Sequence, residues 1–237
     1  MSAFDGVKVL DCSQGLAGPM AAMHLADFGA EVLKIEPPAG DSAKDRPGYL
    51  GWNRNKSVLN LDLAAPKDRA RFDALLAATD VLVVDHGPTA LAALGLEGEP
   101  LTAAHPSLVH LWTPPFGTTG AWSDLPAHHA MLTGLTGAAC RQGAYSDQPV
   151  WHVAPITHYV QALLAAAATA AALYERVQTG LGQAVVVSGL HAMAEVACPI
   201  SGVDEMSHYR GSPIGGSLSY RLYQCGDGEW LFLGALF

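Results

Sequence analysis

Three histidines in this 237-residue chain are candidates for a chemical role, because of their residue type and their spacing. His128 and His129 are adjacent, and His158 lies in the next helical segment. An imidazole changes its charge close to neutral pH, so it can move protons, and it can also be acylated. The alternative is that all three are packing or pocket residues with no chemical role.

A metal site is not expected from these residues. Neighbouring side chains on a helix point about 100° apart, so His128 and His129 would not easily hold one ion together. The cysteines form no CxxC pair, and scattered thiols fit the reducing cytosol, so we expect a cytoplasmic protein without a metal. The residues considered were His128, His129, His152 and His158, with Cys12, Cys140, Cys198 and Cys225.

A glycine turn is the second chemical feature, and it reads Gly15-Leu16-Ala17-Gly18-Pro19. It joins a predicted strand to a predicted helix, and N–H groups at a helix N-terminus favour anionic phosphate. The turn lacks the GxGxxG spacing of dinucleotide sites, although Glu36 stands where a ribose-binding acid would be. A nicotinamide or flavin site is therefore disfavoured, and the alternative is a plain glycine turn, which is common in folds of this kind.

The elements that position these residues alternate between strands and helices. This alternation predicts an α/β fold with a doubly wound, mainly parallel sheet that binds ligands at the carboxyl ends of its strands. Predicted strands cover residues 7–11, 30–36, 57–61, 80–84, 108–112 and 183–187, predicted helices cover 19–27, 65–77 and 156–176, and a hairpin is predicted within 220–237.

Two domains are expected. Residues 1–200 would form a Rossmann-like large domain with a helical second part, and residues 201–237 would form the start of a small domain, or a linker and hairpin. Because the chain stops inside the apolar segment 230–233, we expect a truncated or split protein.

Composition limits the partners. Half of the chain is hydrophobic and only 15% is charged, which predicts an apolar surface covered by another subunit. The net charge of −9 argues against a nucleic-acid surface. Nine of the thirteen Lys and Arg lie in residues 1–71, where an anionic ligand would find its cations. The longest apolar run, 162–173, is too short to span a bilayer, so no membrane is expected.

Many short motifs, taken in order, resemble the family III coenzyme A (CoA) transferases over essentially the whole chain. The first is Gly6-Val7-Lys8-Val9-Leu10-Asp11, followed by Leu16-Ala17-Gly18-Pro19, Val32-Leu33-Lys34-Ile35-Glu36-Pro37-Pro38, Asn53-Arg54-Asn55-Lys56-Ser57, Gly117-Thr118-Thr119-Gly120 and Thr179-Gly180-Leu181-Gly182-Gln183. The resemblance implies the family's Rossmann-like large domain, with its small domain mostly missing here.

The resemblance also implies a reaction, the transfer of CoA between carboxylic acids through a catalytic aspartate. In this chain the lead-in Asp124-Leu125-Pro126-Ala127-His128 is followed by His129 in the position of that aspartate. The related racemase branch moves the α-proton of the acyl group with a His and an Asp. His128 falls at its histidine, and His158 stands in place of its aspartate.

The coenzyme side is also altered relative to the family. Asp85-His86 replaces an Asn-Phe pair, Pro37 stands in place of an arginine, and Ala92-Ala93 in place of another. Lys34 and Lys56 remain as candidate cations for the coenzyme, and the alternative is that both are solvated surface residues. The expected contacts to CoA or acyl-CoA are Leu16, Ala17, Gly18, Pro19, Lys34, Asn55, Lys56 and His86.

Three functions remain open. The first is CoA transfer between carboxylic acids. The second is a catalytically degenerate subunit that pairs with a competent CoA-transferase homologue. The third is exchange of the α-proton of an acyl-CoA by His128 and His158. We expect acyl-CoA as the small-molecule partner and either a homodimer or a heterodimer with a homologue.

Overall fold

The computed structural model describes residues 2–126, 128–141, 149–197 and 215–235. Its strands are β1 (Lys8–Asp11), β2 (Glu31–Glu36), β3 (Lys56–Asn60), β4 (Val81–Val84), β5 (Val109–Trp112), β6 (Ala184–Val186), β7 (Gly215–Ser217), β8 (Tyr220–Gln224) and β9 (Trp230–Gly234). Its helices are α1 (Ala17–Asp27), α2 (Tyr49–Trp52), α3 (Pro66–Leu76), α4 (Pro88–Leu94), α5 (Gly98–Ala104), α6 (His129–Leu135), α7 (Ile156–Thr179) and α8 (Gly189–Ala197).

Strands β1 to β6 form one parallel sheet in the order β3-β2-β1-β4-β5-β6. The predicted doubly wound, Rossmann-like sheet is confirmed, and the ends of its six strands differ from the predicted ends by at most one residue. The strand order reverses between β1 and β4, and sheets of this kind bind ligands beyond the carboxyl ends of the strands at such a point.

Both faces of the sheet bury an apolar cluster, because successive side chains along a strand point to opposite sides. Val9 and Val83 lie on one face and pack with residues of α1 and α7. Leu10 and Leu82 lie on the other face and pack with Phe72 of α3 and with residues of α4 and α5. Helices on both faces fix the strand ends, and the loops that follow them form the candidate site.

The chain divides into two compact units, one of Met1–Ala127 with Thr157–Ala192 and the other of His128–Ile156 with Met193–Phe237. Residues 128–156, which we expected in the large domain, thus group with the second unit. The predicted boundary at residue 200 lies outside the described residues, so the division into 1–200 and 201–237 stays a prediction. In the second unit β7, β8 and β9 form an antiparallel sheet, and the predicted hairpin is present as β8–β9.

Helix α7 corrects one expectation. It has 24 residues and a mean hydropathy of 1.4, so its length and composition alone would allow it to cross a bilayer. The run 162–173 by itself is too short, but residues 156–161, which carry no Asp, Glu, Lys or Arg, lengthen the apolar part of the helix at its start. Ala162, Ala165 and Ala172 are buried in the cluster on the sheet face. That packing is the arrangement of a core helix in a globular domain.

Candidate active site

The turn between β1 and α1 lies at the carboxyl end of β1, at the point where the strand order reverses. Gly15 has φ +92°, a conformation that glycine adopts without strain. A Cβ on Gly18 would collide with the side chain of Ser13. The N-cap residue Leu16 makes no side-chain hydrogen bond, and because Pro19 has no N–H, the N–H groups that the start of α1 offers to an anion are those of Ala17 and Gly18. The coenzyme-binding role of Leu16, Ala17, Gly18 and Pro19 stays a prediction.

Lys34 is a buried lysine in β2 that reaches under this turn. Its Nζ donates to the carbonyl oxygen of Ser13 at 2.8 Å and pairs with the carboxylate of Asp41 at 2.9 Å. Asp11, at the end of β1, lies 3.9 Å from the same nitrogen. The side chain of Lys34 is 0% exposed, so the alternative of a solvated surface lysine is wrong for this residue.

Lys56 is a second buried lysine, and it holds the turn from the side of β3. Its Nζ contacts Asp11 Oδ2 at 2.8 Å and donates to the carbonyl oxygen of Pro19 at 2.7 Å and to Asn53 Oδ1 at 2.9 Å. Its side chain is also 0% exposed, so the surface alternative is wrong here too. These contacts support a role in positioning the turn, while direct contact of either lysine with a phosphate stays a prediction.

Burial and charge oppose each other in this network. Burial would raise the pKa of Asp11, but Lys56 and Lys34 outweigh it, and the pKa of Asp11 is lowered. Burial would lower the pKa of Lys34, but Asp11 and Asp41 outweigh it, and that pKa is raised. For Lys56 burial outweighs the attraction of Asp11, so its pKa is lowered. The charges of Asp11 and Lys34 are thus stabilised by their partners against burial, whereas the partners of Lys56 offset its burial only in part.

Asp85 is a site residue to which the sequence analysis assigned no role, since it noted only that Asp85-His86 replaces an Asn-Phe pair of the family. It follows β4, and Oδ1 of its carboxyl accepts the N–H of Gln14 at 2.8 Å. Its side chain is 14% exposed, and burial raises its pKa from 3.8 to about 8, against the effect of that hydrogen bond. Its position directly after an apolar strand at the reversal point was the signal that could have identified it.

His86 lies beside Asp85, with Nδ1 at 3.7 Å from Asp85 Oδ1. Burial, with a smaller effect from the charge of Lys34, lowers the pKa of His86. Its carbonyl oxygen accepts the Trp112 indole N–H at 2.9 Å, so the backbone there is anchored to β5. His86 also lines a crevice at this end of the sheet, and its predicted contact with the coenzyme stays a prediction.

The crevice has a volume of about 170 Å³ and lies beyond the carboxyl ends of β1 to β4. Its walls are mostly apolar, and its polar contributions include Gln14 and His86. Glu36 is not available to bind a ribose here, because its buried carboxylate accepts the Tyr49 hydroxyl and pairs with Lys44 at 3.4 Å. Residues lining the crevice include Cys12, Ile35, Pro37, Leu61, Leu63 and Leu96.

Asn55 lies apart from the other expected coenzyme contacts. It precedes β3 and lines a cavity at the amino ends of the strands together with Lys8 and Glu31. Its amide donates to Asp27 at 2.8 Å, and its backbone has φ +63°, which asparagine tolerates better than most residues. The structure gives it a role in the loop between β2 and β3, and its coenzyme contact stays a prediction.

The histidine pair belongs to the second unit. His129 is 6% exposed, and its Nε2 contacts the backbone carbonyl oxygen of His152. His128 precedes α6, and its Nδ1 accepts the N–H of Ala130 at 3.2 Å. Both rings meet the indole of Trp151 edge to face, with ring centroids 6.3 Å and 5.7 Å away. Sequence reasoning missed Trp151, which no motif marked.

His158 lies in α7 and is 8% exposed. It belongs to the first unit and His128 to the second, so their pairing for α-proton exchange stays a prediction. Among the described residues no group of three or more His, Cys, Asp or Glu side chains is arranged to hold a metal ion.

In a comparison with known protein families, residues 4–236 of this chain match CoA-transferase family III. Succinyl-CoA–D-citramalate CoA-transferase of Chloroflexus aurantiacus is 31% identical over 98% of this chain and 61% of its own length. The alpha and beta subunits of succinyl-CoA–L-malate CoA-transferase from the same organism are 31% and 32% identical, over 81% and 75% of this chain and 47% of each subunit.

A solved structure agrees in fold. The CAIB/BAIF family protein of Brucella suis superposes with a TM-score of 0.82 at 24% identity, covering 97% of this chain and 65% of that one. The chain thus spans less than two thirds of the length of the curated relatives described above. The extent of the family match, together with the parallel sheet and its strand-end turn, shows that this chain belongs to CoA-transferase family III.

Proposed function

We propose that this chain acts on acyl-CoA thioesters in the transfer of CoA between carboxylic acids. The observation that carries the proposal is the turn after β1, which presents an uncapped helix N-terminus at the reversal point of a family III fold. Such a helix end favours the phosphates of the coenzyme. The crevice beyond β1 to β4 is apolar enough to receive the adenine ring.

The buried lysines support this site by fixing its backbone. Lys34 holds the carbonyl of Ser13, and Lys56 holds the carbonyl of Pro19, on either side of the turn. Both ammonium groups are neutralised by Asp11 and Asp41. The lysines therefore keep the turn N–H groups in place for an anion, and the phosphates themselves meet the backbone.

Catalysis is the part of the proposal in which this chain differs from the family pattern. His129 stands in the position that the resemblance assigns to the catalytic aspartate, and His158 in that of the racemase aspartate. An imidazole can accept an acyl group, but it cannot hold CoA as a stable thioester. This substitution favours a second candidate function, a subunit that completes its site by forming a heterodimer with a competent homologue, whereas a homodimer would suit the first function. The relatives named alpha and beta subunits make that assembly reasonable.

The expected setting is the cytoplasm, without nucleic acid, membrane or metal as a partner. Cys12 and Cys225 are free thiols in the structure, which fits a reducing compartment. The acidic net charge of −9 disfavours nucleic acid. The buried small residues of α7 favour a core helix over a membrane span.

A transfer assay tests the proposal. The pure chain is incubated with succinyl-CoA and either citramalate or malate, alone and after co-expression with a full-length homologue, and new CoA esters are detected by mass spectrometry. Transfer by the chain alone supports the first function, and transfer only with the partner supports the second. Absence of both transfer and CoA binding in every combination would refute the proposal.

The variant His129→Asp examines the catalytic position separately. If residue 129 occupies the position of the family's nucleophilic aspartate, this variant should form a covalent CoA thioester on residue 129 that the wild type does not form. Peptide mapping after quenching with acid locates the adduct. A variant that binds CoA but forms no thioester would show that residue 129 does not occupy that position.

A further inference from the structure

The crevice beyond β1 to β4 has no positive charge in its wall. Among the described residues that line it there is no lysine and no arginine. Its polar side chains include those of Gln14 and His86, which are neutral groups, and that of Asp62, which is a carboxylate. The wall therefore offers an anionic ligand one negative charge and no cation.

His86 and its neighbour Asp85 do not change this balance. Burial lowers the pKa of His86 below its usual 6.5, so the ring is neutral at pH 7 and carries no charge for an anion. Burial raises the pKa of Asp85 to about 8, so its carboxyl is mostly neutral at pH 7 and becomes negative above that value. The charge that the pair adds is therefore zero or negative, and it is not positive near neutral pH.

The cations around the crevice are already paired with carboxylates. Lys44 is the most exposed of them, but its partner Glu36 has a side chain that is 0% exposed. Moving Lys44 to a phosphate would leave that buried carboxylate without its cation, which is costly. The pairs are Lys34 with Asp41 at 2.9 Å, Lys44 with Glu36 at 3.4 Å and Arg69 with Asp73 at 2.9 Å.

The covalent structure of CoA shows which of its groups would meet this wall. The ribose carries the diphosphate on its 5′-oxygen, adenine on C1′ and a third phosphate on its 3′-oxygen. With the diphosphate at the N–H groups of Ala17 and Gly18 and the adenine in the crevice, the 3′-phosphate lies at the rim. The crevice volume of about 170 Å³ suits the base alone, since sites for whole ligands usually have about 300–1,000 Å³.

A 3′-phosphate at this rim gains no binding energy from the protein. A phosphate monoester carries about 1.5 to 2 negative charges at pH 7. It would meet the carboxylate of Asp62 and no unpaired cation of the wall, so its water would not be replaced by an attractive contact. The diphosphate differs, because backbone N–H groups at a helix start favour an anion.

We propose that this chain binds the adenosine diphosphate and pantetheine parts of CoA without recognising the 3′-phosphate, so that it accepts thioesters of 3′-dephospho-CoA as readily as those of CoA. The inference rests on the acyl-CoA binding of the proposed function and widens its class of ligand. Pro37 is the residue that decides this specificity, because it follows β2 directly and lines the crevice with an uncharged ring.

Calorimetry at pH 7 compares two pairs of ligands that differ by the 3′-phosphate alone. The first pair is CoA and 3′-dephospho-CoA. The second pair, 3′-phospho-ADP and ADP, lacks the pantetheine arm and so reports on the turn and the crevice alone. In each pair we expect the ligand without the 3′-phosphate to bind no more than about 3-fold more weakly than its partner, the size of one solvent-exposed charge contact.

Pro37→Arg supplies the missing cation and tests where the 3′-phosphate lies. This variant should bind CoA about 10-fold more tightly than 3′-dephospho-CoA, the effect of one hydrogen bond to a charged group. Pro37→Met is the matched control, because methionine is a long side chain without charge. It should keep the two affinities within about 3-fold of each other, whatever it does to both together.

The outcomes separate this inference from the proposed function. A wild type that prefers CoA to 3′-dephospho-CoA by more than about 3-fold would overturn the inference and leave the acyl-CoA function standing. Absence of binding for both coenzymes would overturn the inference and the proposed function together. Equal affinities in a folded Pro37→Arg would place the 3′-phosphate away from the crevice rim and would also refute the inference.

Discussion

Replacing Asp85 with asparagine should change how the stability of this protein depends on pH. The carboxyl of Asp85 is 14% exposed, and its pKa is raised from 3.8 to about 8 by burial. Between these two values the folded chain holds a proton that the unfolded chain releases. The free energy of unfolding of the wild type therefore falls as pH rises through this window, by up to about 1.4 kcal/mol for each pH unit from this group.

Asp85→Asn removes that contribution and keeps an oxygen that can accept the Gln14 N–H. The stability of the variant relative to the wild type should therefore rise by about 2 kcal/mol between pH 5.5 and pH 7.5. Urea unfolding of both proteins at pH 5.5, 6.5 and 7.5 measures this difference, because the other titrating groups are common to both. Asp5→Asn changes an exposed carboxylate and is the matched control.

The reasoning fails if the difference between wild type and Asp85→Asn stays constant with pH or moves the other way. A constant difference would mean that Asp85 is ionised throughout and that water reaches it in the folded chain. A change of the same size in Asp5→Asn would mean that net charge, and not burial at position 85, produces the effect.

Three further predictions concern the same end of the sheet. Lys56→Met leaves Asp11 without its 2.8 Å partner and should lower the free energy of unfolding by about 3–5 kcal/mol in urea titrations; a loss below 1 kcal/mol would contradict the pairing. Gly18→Ala places a Cβ against Ser13 and should cost about 1–3 kcal/mol, with weakened CoA binding in calorimetry; unchanged stability and binding would contradict the close contact. CoA binding by the wild type should weaken as pH rises above about 8 and Asp85 ionises, whereas Asp85→Asn should lack that step.

The strands and the doubly wound, mainly parallel class of the sheet were predictable because the sequence contains apolar runs that alternate with helical segments, but the strand order was not predicted. The partners of Lys34 were partly predictable as well. A lysine inside the apolar run Val32–Ile35 needs a buried anion, and Asp11 is its register partner in the neighbouring parallel strand. Asp41 was not predictable, because it reaches Lys34 from an irregular loop whose path the sequence pattern does not define.

The histidine pair shows where sequence reasoning ends. The residue types and the expected positions of His128 and His129 could be stated from motifs alone. The backbone partner of each ring could not, because the motifs do not define the paths that bring the His152 carbonyl and the Ala130 N–H to the rings. Trp151 was missed for a similar reason: its contacts with the rings come from a segment without regular secondary structure.

Calorimetric titration of CoA into the wild type and into Gly18→Ala at pH 7 tests the central claim most directly, since every proposed reaction requires the coenzyme at the turn after β1. The account predicts saturable binding to the wild type at one site per chain and a clear loss of affinity in the variant. Absence of binding to the wild type, or equal affinity in a folded Gly18→Ala, would contradict it.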